Sequence, residues 1–300
     1  MSINSIKILK RRIVKSFAIG SFITPAFLIY TIFVFGPMLG AFYLSMFSWN
    51  GISPMTFIGV DNYRSLLIDE RFWDAFTNNV IWMVFVTIIP TSIGLFLASL
   101  ISRSINKGKT FFRVVLFLPQ VLSSVVIAVI WRWIYHPDFG IVNIFLESIG
   151  LGFLARGWLG SSTWALPAML VAFSWFHYGF CMVVFIAAIQ GIDEPLYDAA
   201  KVDGASSLQE FRYITVPLIR YAITIVLIIT VIVSFRIFDF AFLLTRGGPG
   251  YSSMVIALMM YNNAFRYGRV GYASAMAVFL AVFIFVITII LLRLRTRSKA

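Results

Sequence analysis

Long apolar runs broken by short polar stretches dominate the chain. A helix needs roughly 20 apolar residues to cross the hydrocarbon of a bilayer. Six runs are long enough, at about 18–46, 77–101, 113–135, 164–189, 219–243 and 271–292. Pro25, Pro37, Pro90, Pro119 and Pro167 lie within them; membrane helices tolerate proline because neighbouring groups re-satisfy the freed carbonyls. The run MVIALMM at 254–260 is too short to cross and reads as a short helix on one side or a re-entrant piece. The first run continues from about Phe22 to Phe47, too long for the apolar core of a cleaved signal, and reads as a retained span. The expected fold class is an all-α integral membrane protein with six transmembrane helices.

Composition supports this class. The 300 residues are 60% hydrophobic and 12% charged, with mean hydropathy +0.93, whereas a soluble domain is about 45–50% apolar and about 25% charged. The net charge of +12 would point to nucleic acid in a soluble protein. Its placement argues against that partner: 16 of the 24 Lys and Arg fall in the N-terminal segment, the loops after spans two and four, and the tail. The positive-inside rule then puts both termini in the cytoplasm, beside anionic lipid. The expected organisation is a basic N-terminal segment 1–17, a transmembrane body 18–293, a cytoplasmic loop 191–218 inside it, and a tail 294–300. The loops on the other side are long, and HPDFGIVNIFLESIGLGFL among them suggests a short amphipathic helix on the membrane surface. One cysteine and two histidines leave no intrachain disulfide framework and little room for a Cys/His metal site.

The polar stretch YDAAKVDGASSLQEFRYITVPLI, 197–219, stands out between two apolar runs. Asp193 is placed to cap a helix that Glu194 and Pro195 begin, and Gly204 is placed to end it in a left-handed conformation. Ser207, three residues before Glu210, fits a capping box for a second helix. Leu208, Phe211 and Thr215 share one face of that helix, and Pro217 marks entry to the fifth span. Local physics leaves two readings open: a well-capped loop, or a docking surface for another protein.

AAKVDGASSLQEFRYITVP closely resembles the "EAA" loop of permease subunits in binding-protein-dependent ABC importers. That pattern is Glu-Ala-Ala, three residues, Gly, nine residues, Ile, one residue, Leu-Pro. Asp198, Ala199, Ala200, Gly204, Ile214, Val216 and Pro217 occupy those positions here, with Asp for Glu and Val for Leu as the departures. FIGVDNYRSLL, FLPQVLSSVVIAVIWRWIYHPDFGIVN and TRGGPGYSS extend the likeness over almost the whole chain, to the first permease of carbohydrate-uptake systems. The resemblance implies a type I ABC importer permease fold, with a coupling helix between spans four and five that fits a cleft on an ATPase. It assigns ATPase coupling to Asp198, Ala199, Ala200, Asp203 and Gly204, and further along to Ala205, Glu210, Phe211 and Pro217. The implied partners are a second homologous permease, two ATPase subunits and an extracytoplasmic solute-binding protein, in an inner membrane. This chain has no Walker A motif and is expected to carry no cofactor itself, ATP and Mg residing on the partner ATPase. The implied solute is a sugar, oligosaccharide or sugar-like compound.

Polar residues within spans are candidates for a substrate path. Arg236 and Asp239, three apart in the fifth run, are placed either to pair internally or to contribute to such a path. Gln120, Ser123 and Ser124 either line a cavity or bond to neighbouring helices. Trp175, His177 and Tyr178 form an aromatic group with polar tips, suited to sugar rings or to plain packing. Gly247, Gly248 and Pro249 mark a tight turn or a surface met by the binding protein. An intramembrane serine protease is disfavoured because GWLGSSTW lacks a Gly-x-Ser-Gly arrangement and the two histidines are ill placed. A stand-alone channel or secondary transporter is the alternative reading, against which stand the absence of a TVGYG filter and of paired broken helices.

Overall fold

The computed structural model describes residues 20–104 and 108–297. The basic segment 1–17, Lys107 and the last three residues of the tail therefore lie outside the described residues. Helix α1 (Gly20–Leu44) leads through a hairpin, β1 (Phe47–Ser48) and β2 (Thr56–Phe57), to α2 (Asp61–Ile68) and the long α3 (Glu70–Ser99). Next come α4 (Lys109–Val121), α5 (Ser124–Ile134), α6 (Ile141–Ser148) and α7 (Ala165–Gln190). The polar stretch folds as α8 (Glu194–Val202) and α9 (Ser207–Leu218). The chain ends with α10 (Arg220–Phe235), α11 (Asp239–Leu244), α12 (Ile256–Tyr261) and α13 (Val270–Arg297).

Four of these helices are long and apolar enough to cross a membrane, or six helical spans if each of two bent pairs counts as one. The differences from the expected runs lie at chain breaks. The run 113–135 is two helices, α4 and α5, bent by 95° at Leu122–Ser123. Pro119 denies that last turn a backbone donor, and Ser123, extended at φ −68° and ψ 150°, starts a new helix instead of continuing the old. The second bent pair is α9 and α10, turned by 70°, and the run 219–243 is split again, α10 stopping at Phe235 and α11 starting at Asp239. The short antiparallel hairpin, with Phe47 opposite Phe57 and Ser48 opposite Thr56, departs from a purely helical expectation.

Packing divides the chain into two units, Met1–Leu66 with Asn263–Val278, and Leu67–Asn262 with Phe279–Ala300. In the first, Asn62 Nδ2 donates to the carbonyls of Ser45 (2.8 Å) and Phe47 (2.9 Å), and Val270 N–H donates to Trp49 (2.9 Å). Gly271 sits against the Phe47 carbonyl, where no Cβ fits. In the second unit α3 crosses α7 closely at Gly94, where an added Cβ falls 2.6 Å from Cys181 Cβ and 2.8 Å from Met182 N. Ala98, Ile101, Cys181, Phe185, Ile189 and Val226 form the core beside that crossing. Nearer the other end of α3, buried Asn79 donates to Ser234 O (2.9 Å) and accepts from Ile256 N–H (2.8 Å), tying α3 to α10 and α12. Rings of Phe72, Phe76, Phe235, Phe279 and Phe283 pack edge-on around it.

The Gly94 crossing makes a prediction about stability. Gly94→Val puts a Cβ 2.6 Å from Cys181 Cβ, closer than carbon atoms approach, and is expected to cost about 1–3 kcal/mol. Gly40→Ala, whose Cβ meets nothing within 4 Å, is expected to be silent. Melting curves of the detergent-solubilised protein check both; an unchanged midpoint for Gly94→Val contradicts the crossing.

Candidate functional site

Two helix breaks meet at one cavity. At the first, Ser123 caps α5, its Oγ accepting from Val126 N–H (3.4 Å). At the second, α10 ends at Arg236, whose N–H still bonds to Ile232 and Val233, and Phe238 turns the chain before α11. The breaks are joined by Ser124 Oγ donating to Asp239 Oδ2 at 2.7 Å. Around this bond is a cavity of about 370 Å³, within the usual range of about 300–1,000 Å³ for small-molecule sites. Ser124, Arg236 and Asp239 supply its polar atoms, and Phe173, Phe176, Phe238 and Phe240 its aromatic wall. Arg236 and Asp239, expected on one helical face, lie on opposite sides of the break and form no ion pair; each is exposed. A guanidinium donor and a carboxylate acceptor thus stand free of each other beside flat apolar faces, an arrangement able to grip a polyhydroxylated ring.

The other path candidates lie elsewhere. His177 is buried, its Nε2 3.1 Å from Thr230 Oγ1 and its ring stacked on Phe173. It ties α7 to α10 and does not reach the cavity wall. Trp175 points to the far side of α7, edge-on to Trp131 at 5.9 Å. Tyr178 is half-buried. Successive helical residues are turned by about 100°, so one helix face cannot present all three. Gln120 packs against Gly179, with its Oε1 buried and without a hydrogen-bond partner. Phe173 and Phe176 were not singled out in the sequence, although they lie four residues and one residue before His177 on the same helix.

The hairpin of α8 and α9 is tightly built. Gly204 takes φ +76°, with Ala205 N–H donating to Ala200 O (2.9 Å) and Gly204 N–H to Lys201 O (3.0 Å), closing the end of α8 in a Schellman motif. Asp193 sits at the start of α8 but its side chain makes no capping bond. The capping box of α9 is one residue earlier than expected: Ser206 N–H donates to Gln209 Oε1 (2.7 Å), and Ser206 Oγ accepts from Gln209 N–H (3.4 Å). Ser206–Gln209 and Ser207–Glu210 both satisfy the spacing. The Schellman turn ends at Ala205, so Ser206 is the first residue free to cap. Glu210, released from capping, is buried. Tyr197 Oη and Thr215 Oγ1, 2.9 Å apart and buried, stitch the two helices together. The inward face of α9 thus carries Glu210 and Thr215, with Phe211 half-buried, and Leu208 faces out. Asp198, Ala199, Asp203, Gly204 and Pro217 are exposed; Ala200 and Ala205 are half-buried. Val202, Leu208 and Tyr213 are large apolar side chains left at 88%, 74% and 70% exposure.

The loop after α11 is a knot rather than an open surface. Gly247 is buried against Met254, and Gly248 and Pro249 are half-buried. Ser253 Oγ lies 2.8 Å from Thr245 Oγ1 and donates to Gly248 O at 2.7 Å. Asn78 Nδ2 holds the carbonyls of Ser252 (3.2 Å) and Met254 (2.9 Å), and Arg71 covers the Tyr251 ring. Among the described residues no cluster of three His, Cys, Asp or Glu side chains is placed to hold a metal ion.

The family model described as "Binding-protein-dependent transport system inner membrane component" matches residues 90–299. The chain belongs to that family. The probable ABC transporter permease protein YurN of Bacillus subtilis is 38% identical over 263 residues, covering 87% of this chain and 90% of that protein. The lactose transport system permease protein LacF of Rhizobium radiobacter is 32% identical over 248 residues, covering 82% and 83%. Among solved structures, a chain of a bacterial ABC transporter involved in the import of the acidic polysaccharide alginate superposes with TM-score 0.85 at 27% identity, over 97% of this chain and 99% of that one. The fold is that of a type I ABC importer permease, and the protein is a transport subunit of the membrane, not an enzyme.

In this permease the Ser124–Asp239 bond links the two breaks, so its partners are energetically coupled. A double-mutant cycle of Ser124→Ala and Asp239→Ala, read from melting midpoints, is expected to give about 0.5–1.5 kcal/mol of coupling. Additive effects contradict the link.

Proposed function

We propose that this permease is one of two membrane subunits of an ATP-driven importer for a sugar or oligosaccharide, moved by alternating access. The carrying observation is the α8–α9 hairpin. It is fixed at its turn by a Schellman motif and a capping box, yet leaves Val202, Leu208 and Tyr213 in the open. A rigid element with exposed apolar side chains is built to be covered by a partner. The partner of this reading is an ATPase subunit, one for each permease, carrying ATP and Mg. Closure of the ATPase pair pushes on Asp198, Ala199 and Asp203 at the surface of the hairpin, and α7 and α10 transmit the push. Glu210 and Thr215 act as internal fasteners of that unit.

The Arg236–Asp239–Ser124 cavity, with its phenylalanine wall, is the proposed solute contact. Relatives support a sugar: one is a probable starch degradation products transport system permease, AmyD of Thermoanaerobacterium thermosulfurigenes, 34% identical over 263 residues. A binding protein on the face opposite the hairpin completes the reading; a related alginate transporter, superposing at TM-score 0.86, has been solved in complex with an alginate pentasaccharide-bound periplasmic protein. The hairpin and both termini then face the cytoplasm, in agreement with the basic flanks.

Val202→Asp and Leu208→Asp place charge on the exposed apolar surface without touching the internal bonds. Each is expected to strip the ATPase from the purified complex while leaving the permease fold and its melting curve intact. Gly204→Val, strained by about 1–2 kcal/mol at a left-handed residue, is expected to weaken ATPase retention as well, by distorting the turn, and to lower the melting midpoint. Full ATPase retention by all three contradicts the proposal, as does solute uptake by this chain alone without ATP.

A further inference from the structure

We propose that α6, with Phe139 and Phe153 beside it, is a lipid-binding plate seated at the headgroup boundary of the bilayer. Helix α6 is amphipathic in the inverted sense. Ile141, Ile144 and Phe145, spaced i, i+3 and i+4, form its outward stripe at 64%, 51% and 60% exposure. Asn143, the polar residue of the same turns, is turned inward and is 4% exposed. A loop helix surrounded by water turns its apolar stripe to the protein; here the stripe meets the surroundings.

This orientation is held, not accidental. Asn143 Nδ2 donates to Pro137 O (3.0 Å) and Arg156 O (3.1 Å), and its Oδ1 accepts from Trp158 Nε1 (2.8 Å) and Arg156 N–H (3.3 Å). Every donor and acceptor of that amide is engaged in one direction. Arg156 in turn lies over the rings of Trp158 and Trp164. Gly140 enters the helix in close contact with the backbone of His136, where a side chain has no room. At the far end Leu151 N–H donates to Leu146 O (2.8 Å) and Gly150 N–H to Glu147 O (3.1 Å), so a second Schellman motif fixes the exit.

The occupant follows from what the plate continues. Helix α5 exposes Val125, Val126 and Val129 on one face, with Trp133 further along it, and buries Ile127, Ala128 and Trp131 on the other. That outward stripe belongs to a bent pair that is together long and apolar enough to cross a membrane, and it leads through Trp133, a residue type that settles at the membrane–water boundary, into Phe139 and Ile141. The outward stripe is Ile and Phe, with no charge between Phe139 and Leu146, which is the kind of apolar face an interfacial helix buries at the headgroup boundary. It lies before α7 and the hairpin after α7, so 26 residues of helix, about 39 Å, separate the two. The plate therefore engages the leaflet opposite the hairpin.

The test uses the assembled transporter in lipid vesicles, with Cys181→Ala removing the native thiol. Phe145→Cys and, separately, Ile144→Cys carry an environment-sensitive fluorophore, and Glu147→Cys carries it as the comparison. Labels at 144 and 145 are expected to lose most of their emission in vesicles of lipid brominated near the headgroup and to resist iodide, with the reverse at 147. Quenching of both by iodide, or by neither reagent, overturns the proposal; the first result places the stripe in water and the second under another protein.

Discussion

The close crossing of α3 and α7 at Gly94 is the constraint on which the rest of this permease depends. With no side chain at 94, the backbones meet near Cys181 and Met182, and α7 is fixed in the middle of the second unit. The N-terminal half of α7 carries Phe173 and Phe176 into the cavity wall. The other end runs through Gly191 directly into α8. This helix of 26 residues connects the phenylalanine-walled cavity to the hairpin.

Helix breaks in apolar surroundings free backbone groups that no water can satisfy, and each break here has its own remedy. Ser123 answers the break before α5. Arg236 N–H retains its bonds to α10 at the second break. Asn79 bonds a carbonyl of α10 and the first N–H of α12 with one side chain. Ser124 and Asp239 then bridge the two breaks and join α5 to α11.

A mostly helical chain with several long apolar runs, and a polar stretch of two helices turned at Gly204, were legible from the residues. Hydrophobic length and glycine or serine chemistry are local properties. Only the resemblance, carried by Asp198, Ala199, Gly204 and Pro217 at fixed spacing, named the family. What escaped the sequence were the chain breaks and the helix faces. Nothing in RIFD says that a helix stops at Arg236, and the 95° bend after Pro119 needed tertiary packing to decide it. Two overlapping capping-box patterns differed by one residue, and the choice turned on where the Schellman turn ends. Aromatic His177, Trp175 and Tyr178 looked like a single cluster in the sequence, but helical rotation sends His177 to Thr230 and Trp175 to Trp131.

We propose that ATP-driven motion enters this permease at the α8–α9 hairpin. Cysteine cross-linking tests it most directly, with Ala200→Cys or Ser206→Cys in a Cys181→Ala background and single cysteines around the ATPase cleft. Cross-links are expected from both positions in the assembled complex, with a pattern that changes between nucleotide-free and ATP-bound states. Absence of cross-links from both positions, in a complex that still imports its solute, would contradict it.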